Sequence, residues 1–107
     1  MKNYYVYLMA SGKNGTLYVG FTNNLVRRVA EHKRKKTHGF TSTYSVDKLV
    51  WYLQCNDPRL GIQKEKSLKK WNRNWKVREI KKMNPEWKDL FYEIGGTEEM
   101  LSPDFQL

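Results

Sequence analysis

The chain has a single cysteine, Cys55, and so can build neither a disulfide framework nor a cysteine-based zinc cluster. Cys55 reads as a packing residue, and a reducing compartment, the cytoplasm, is the expected location. Long apolar runs are also missing. Nothing approaches the roughly 20 residues that a spanning helix needs, and Tyr4 to Ala10 is too short for a signal-peptide core with its flanks, so no membrane partner is expected. Acidic residues are scarce, with 11 Asp and Glu against 20 Lys and Arg for a net charge of +9. No interior stretch is rich enough in Gly, Pro or Ser to divide the chain, and 107 residues suffice for one core.

The shortage of acid is uneven. Residues 1–85 carry 19 basic and five acidic residues, whereas residues 86–107 carry one basic and six acidic residues. The cationic surface therefore belongs to the folded body, and a polyanion is its natural partner. The division predicted is a domain over 1–94 followed by an acidic tail over 95–107, mobile or loosely docked, which has little to bury after Gly95 and Gly96.

Tyr4 to Met9 and Thr16 to Phe21 are dense in β-branched and aromatic residues and are separated by the turn cluster Ser11 to Gly15, a pattern that predicts an antiparallel hairpin. Thr22, Asn23 and Asn24 offer N-caps for a helix that fades near Lys35. A polar loop follows, then a third apolar strand over Leu49 to Leu53, which Asn56-Asp57-Pro58 ends. Leu60, Ile62, Leu68 and Trp71 mark the apolar stripe of a second helix over Arg59 to Trp71. A third, basic helix spans about Trp75 to Met83 and stops before Pro85, beyond which a short turn packs Trp87 and Leu90.

Three constellations carry chemistry. Arg28 and His32 are four apart on the first helix beside its apolar stripe, where Arg can pair with a phosphate and His can share a proton near neutral pH. Glu65 sits in the middle of the second helix's apolar stripe, three residues from both Ile62 and Leu68, where a surface salt-bridge residue has no reason to be. Between Arg59 and Lys82 there are ten basic residues and two acids. A carboxylate beside phosphate repels it unless a cation intervenes, and Mg²⁺ suits a site of one or two carboxylates completed by water and phosphate oxygens. An internal pair between Glu65 and a neighbouring cation is the competing explanation. Tyr5 and Tyr7 share a strand face, with Tyr18 on the adjacent strand, although most strand tyrosines simply pack. Gly20 leaves room for a backbone or phosphate to approach, and a bulge would explain it equally.

Taken in order, Tyr5-Val6-Tyr7, Tyr18-Val19-Gly20, Arg28 with His32, and Glu65 resemble the signature of the GIY-YIG nuclease superfamily over about residues 4–90. The small single-domain bacterial members are the most similar, through Leu17 to Gly20, Arg27-Arg28 with Glu31-His32, Lys64 to Trp71 and Asn84 to Leu90. Tyr5 stands where the motif name has Gly, and Val6 replaces Ile. The resemblance implies an α+β fold, a three-stranded antiparallel sheet with a central first strand flanked by helices. It also implies metal-dependent hydrolysis of DNA phosphodiesters, with DNA repair or recombination as the setting such chemistry serves. Tyr7, Tyr18, Arg28, His32 and Glu65 would be the catalytic residues, with Glu65 the ligand of Mg²⁺, for which Mn²⁺ could substitute. Lys33, His38 and Tyr44 are further polar candidates after the helix motif.

The mechanism expected is attack by a water that Tyr7 or Tyr18 activates with help from His32, on a phosphate gripped by Arg28 and the metal. Lys33, Lys64, Lys69, Lys70, Arg73 and Lys76 are the expected DNA contacts. The competing function is a non-catalytic nucleic-acid-binding module, in which basic residues follow the backbone while Trp71 and Trp75 stack on unpaired bases. Those tryptophans are nevertheless expected in the core. An interaction adaptor is a third reading and leaves Glu65 unexplained. A domain this small is expected to draw on a protein partner for specificity.

Overall fold

A computed structural model describes residues 3–35, 39 and 43–107. Strands β1 (Tyr4–Ala10), β2 (Leu17–Thr22) and β3 (Lys48–Cys55) form one antiparallel sheet in the order β2-β1-β3. The described helices are α1 (Leu25–Lys33), α2 (Pro58–Lys70), α3 (Arg73–Met83) and a short 3-10 turn, Glu98–Leu101. The α+β class and the central first strand are as the sequence predicts. So are the first two helix starts, where the Asn24 and Asp57 side chains accept from the backbone N–H groups of Arg27 and Arg59; the third helix begins at Arg73, two residues before the expected Trp75, with the Asn72 side chain accepting from the Trp75 N–H.

Because β1 is central, it buries both faces, and its last five residues are all inaccessible. Val6, Leu8 and Ala10 point into one core with Val19, Leu68, Ile80 and Trp87. Tyr7 and Met9 point into the other with Leu25, Val29, Leu90 and Phe91. Helix α2 packs on β1 and β2, and α3 packs on β3, both through residues of the first core. Helix α1 covers the second core. A register shift opposite Leu8 and Met9 lets the consecutive Val50 and Trp51 both serve the first core while Leu49 serves the second.

Two expectations need correction, and the tail takes the docked of its two alternatives. On α2 the inward residues are Gly61 and Leu68, while Leu60 and Ile62 are exposed; Phe21 takes the space a side chain at position 61 would need, drawing the helix close to β2. Trp75 is 49% exposed, whereas Trp51 and Trp87 are 6% and 4% exposed, so it is not a core residue. The acidic segment is docked: Met100, Leu101 and Leu107 pack against the second core, and the Arg34 guanidinium donates to the carbonyls of Pro103 and Phe105 at 3.0 and 3.1 Å.

Asn84, just past α3, is buried and ties that helix end to the sheet. Its amide nitrogen donates to the carbonyls of Val50 and Lys88 at 3.2 and 2.7 Å, and its side-chain oxygen accepts from the Lys88 N–H at 3.0 Å. Asn84→Ala would strand those groups where little else can replace the amide. The expected cost is about 2–3 kcal/mol in urea-unfolding free energy, against less than about 0.5 kcal/mol for the exposed Asn74→Ala.

Candidate active site

Tyr7 pairs across the sheet with Gly20 of the edge strand β2. A Cβ at Gly20 would lie 2.2 Å from Tyr7 Cζ and 2.3 Å from its hydroxyl, so the ring lies flat over the space that glycine leaves. Gly20 thus makes room for a side chain, not for a phosphate or a bulge. Lying across Gly20, the ring carries its hydroxyl toward the sheet edge, where α1 covers it. There the Tyr7 hydroxyl is 3.1 Å from His32 Nε2, and it also shares a hydrogen bond with Arg28. The Tyr18 ring meets His32 edge-on at 5.5 Å and Tyr7 at 6.4 Å, closing an aromatic cluster around the imidazole.

These contacts fix protonation. Arg28 can only donate to the phenol oxygen, and with the imidazole proton on Nδ1 the Tyr7 hydroxyl donates to Nε2. Burial is the main reason that the Tyr7 phenol is pushed up to about 12; the charges of Tyr18 and Glu65 add to this and the Arg28 hydrogen bond opposes it. His32 is brought down to about 4, first by burial and then by the Arg28 charge, with Glu31 pulling the other way. At neutral pH Tyr7 is therefore a phenol and His32 a neutral base. For Arg28, partial burial works against the charge, but hydrogen bonds to Tyr7 and Glu31 outweigh it and hold the pKa above its ordinary value.

Glu31 is the residue that the sequence reading missed. It is not among the candidate site residues of the sequence, yet its carboxylate takes Arg28 at 3.1 Å and Arg27 at 3.5 Å, aiming the first guanidinium back at Tyr7. The signal was there in the i, i+3 and i, i+4 spacing. Arg28 also lines a groove of about 530 Å³ with Tyr4, Phe21, Arg27 and Glu31, which gives an extended ligand access to the guanidinium.

Glu65 approaches from the opposite face of the sheet on α2, and its charge is felt at the Tyr7 hydroxyl. It lies on the inward side of the helix between Gly61 and Leu68, 20% exposed, and is also paired with Lys69 at 3.4 Å. The internal pair that the sequence allows for Glu65 is thus present. Among the described residues no group of three or more His, Cys, Asp or Glu gathers to hold a metal. A single carboxylate completed by water and phosphate fits a hard, heavily hydrated cation such as Mg²⁺, and it does not fit zinc.

The basic candidates divide. Lys33 is 11% exposed, ion-paired with Asp89 and set over the Phe91 ring at 5.3 Å, so it braces α1 and offers no free ammonium to DNA. Arg73 reaches the β1–β2 turn and donates to the carbonyls of Asn14 and Gly15 at 2.8 and 2.7 Å. Lys64 sits over the Trp71 ring at 4.9 Å, Lys69 is shared with Glu65, and Lys70 is exposed. Lys76 is half-buried, its pKa lowered by burial and then by Arg73. Tyr44 is exposed, and His38 lies outside the described residues.

The family model of the GIY-YIG catalytic domain matches residues 3–84, most of the chain and every element from β1 to α3. The chain belongs to the GIY-YIG family. UPF0213 protein SH2523 of Staphylococcus haemolyticus is 29% identical over 80 residues, which span 75% of this chain and 96% of that protein. The solution NMR structure of UPF0213 protein BH0048 from Bacillus halodurans has the same fold, with a TM-score of 0.52 at 22% identity, covering 89% of this chain and 99% of its own. The GIY-YIG domain is a nuclease domain, and DNA is the substrate it suggests. No helix among the described residues is long and apolar enough to cross a membrane.

Two outcomes follow from the Tyr7–Gly20–His32 packing. A histidine whose folded pKa is about 4 and whose ordinary value is 6.5 contributes stability that is complete above pH 6.5 and is lost as pH falls toward 4, since the unfolded chain takes the proton first. NMR titration is expected to find the His32 ring neutral at pH 6, and His32→Gln should flatten the stability profile between pH 6.5 and 4. Gly20→Ala should cost about 1–3 kcal/mol in chemical denaturation by overpacking and should raise the His32 pKa as the displaced Tyr7 ring opens the cluster.

Proposed function

We propose that the protein is an endonuclease that hydrolyses DNA phosphodiester bonds with the aid of Mg²⁺ bound through Glu65. The observation that carries this reading is the meeting of Arg28, the Tyr7–His32 hydrogen bond and the charge of Glu65 at one phenol. A binding module needs none of the three at one point. The reducing cytoplasm is the setting, consistent with the unpaired Cys55.

Arg28 receives a nonbridging phosphate oxygen with the donors that Tyr7 and Glu31 leave open, and Glu31 keeps the planar guanidinium from collapsing onto the approaching phosphate. A phenol pushed up to about 12 is not a preformed phenolate. Tyr7 acts instead as a relay: its oxygen takes the proton of the attacking water as its own proton passes along the existing hydrogen bond to His32 Nε2. The depressed His32 pKa keeps the ring neutral near pH 7, and in the tautomer protonated at Nδ1 its Nε2 can take that proton. Tyr18 holds the imidazole edge-on and so keeps Nε2 aimed at Tyr7. A Mg²⁺ ion held by Glu65 would supply charge neutralisation at the scissile phosphate and the leaving oxygen. Lys69 would then return to solvent or to the DNA backbone.

The Glu65–Lys69 pair is the one observation that favours the second reading, a non-catalytic DNA-binding module in which Glu65 only organises a basic helix. Glu65→Gln separates the two. Plasmid nicking in Mg²⁺ or Mn²⁺ is expected to fall at least about a hundredfold while affinity for DNA in EDTA is kept. Cleavage by the variant at the wild-type rate would remove Glu65 from the chemistry and with it this mechanism.

A further inference from the structure

Trp75 has no role in the fold or in the proposed chemistry. It is half exposed at the start of α3, beside the corner where α2 meets that helix. Exposure there is not a loose end, because the residue is held from several sides. Its backbone N–H is capped by the Asn72 side chain at 3.0 Å. Its ring stands edge-on against Trp71 with centroids 5.9 Å apart and planes at 80°. Trp71 is fixed in turn by packing on the first core and by the Lys64 ammonium over its face at 4.9 Å. Arg73, between the two tryptophans, clamps the corner onto the β1–β2 turn through Asn14 and Gly15. An exposed indole on so rigid a mount loses little entropy when something stacks on it.

The surroundings select the ligand. Lys66, Lys70, Arg78 and Lys81 are exposed on the same two helices, where Glu65 and Glu79 are the only acids in the sequence between Arg59 and Lys82. Cations that follow a phosphate backbone beside an aromatic face form the standard platform for single strands, because any unpaired base offers a π surface. A duplex hides its bases and would use the cations alone. Lys64, which ends the Trp75–Trp71–Lys64 row, is the residue before Glu65 in α2.

We infer that Trp75 is a stacking platform for an unpaired base, and that the substrate is DNA with single-stranded character. This rests on the nuclease reading only for the word substrate, since the stacking itself is a binding property. The test is therefore made on binding, without cleavage. In the Glu65→Gln background, with EDTA, fluorescence anisotropy would compare a labelled single-stranded oligothymidylate with a duplex of equal length.

Trp75→Ala is expected to weaken single-strand binding by about tenfold, the loss of one stacked base, to leave duplex binding within about twofold, and to be rescued by Trp75→Phe. Equal weakening for both ligands, or no weakening for either, would overturn the inference, as would failure of Phe to rescue. Cleavage by the wild-type chain is assayed separately on single-stranded, flapped and duplex DNA. A Trp75-dependent preference for single strands without cleavage of any substrate would sink the nuclease and leave the platform standing.

Discussion

The structure hangs on the contact between the Tyr7 ring and the bare backbone of Gly20. Without that gap a tyrosine in the central strand would have to stand upright beneath α1. With it the ring lies over the edge strand, and the phenol emerges where Arg28 and His32 of α1 can both reach it. A buried phenol must have its hydrogen bonds met, and α1 meets them from residues one turn apart. Packing and site geometry are therefore one constraint, which α1 satisfies by docking in a single rotation.

Much of this was legible in the residues. The hairpin and caps at Asn24 and Asp57 follow from local chemistry, and the order of strands and helices was read correctly. The candidate site was legible as a set of residues but not as an arrangement. Nothing in Tyr18-Val19-Gly20 says that position 20 accommodates a ring from the neighbouring strand, because that depends on register. The stripe on α2 was assigned to Leu60 and Ile62, yet the helix turns Gly61 inward so that Phe21 can close on it. Trp75 misled for a related reason: aromatic residues favour interiors on average, but α3 is amphipathic over only a short length and buries just Ile80 fully.

Charge is handled unevenly across the fold. Around α1 the cations are spent on the protein itself: Arg27 and Arg28 on Glu31, Lys33 on Asp89, and Arg34 on the carbonyls of the C-terminal segment. Those inward assignments explain why an acidic stretch can follow a basic body without detaching from it. Along α2 and α3 the lysines have few partners of this kind, with Glu65 and Glu79 each taking one. The unpaired cations available to a polyanion are thus denser along α2 and α3, while those around α1 are largely engaged within the fold.

The helices bearing Arg28 and Glu65 pack on opposite faces of the same three-stranded sheet. The span between the guanidinium and the carboxylate is consequently set by the thickness of a β layer and its two side-chain shells, with β2 as the spacer. Loops contribute little to it. Such an aperture has a fixed bore: insertions in the connections could change its surroundings while leaving the separation of the two charges untouched. A short edge strand, often a weak point in a sheet, here serves as the gauge.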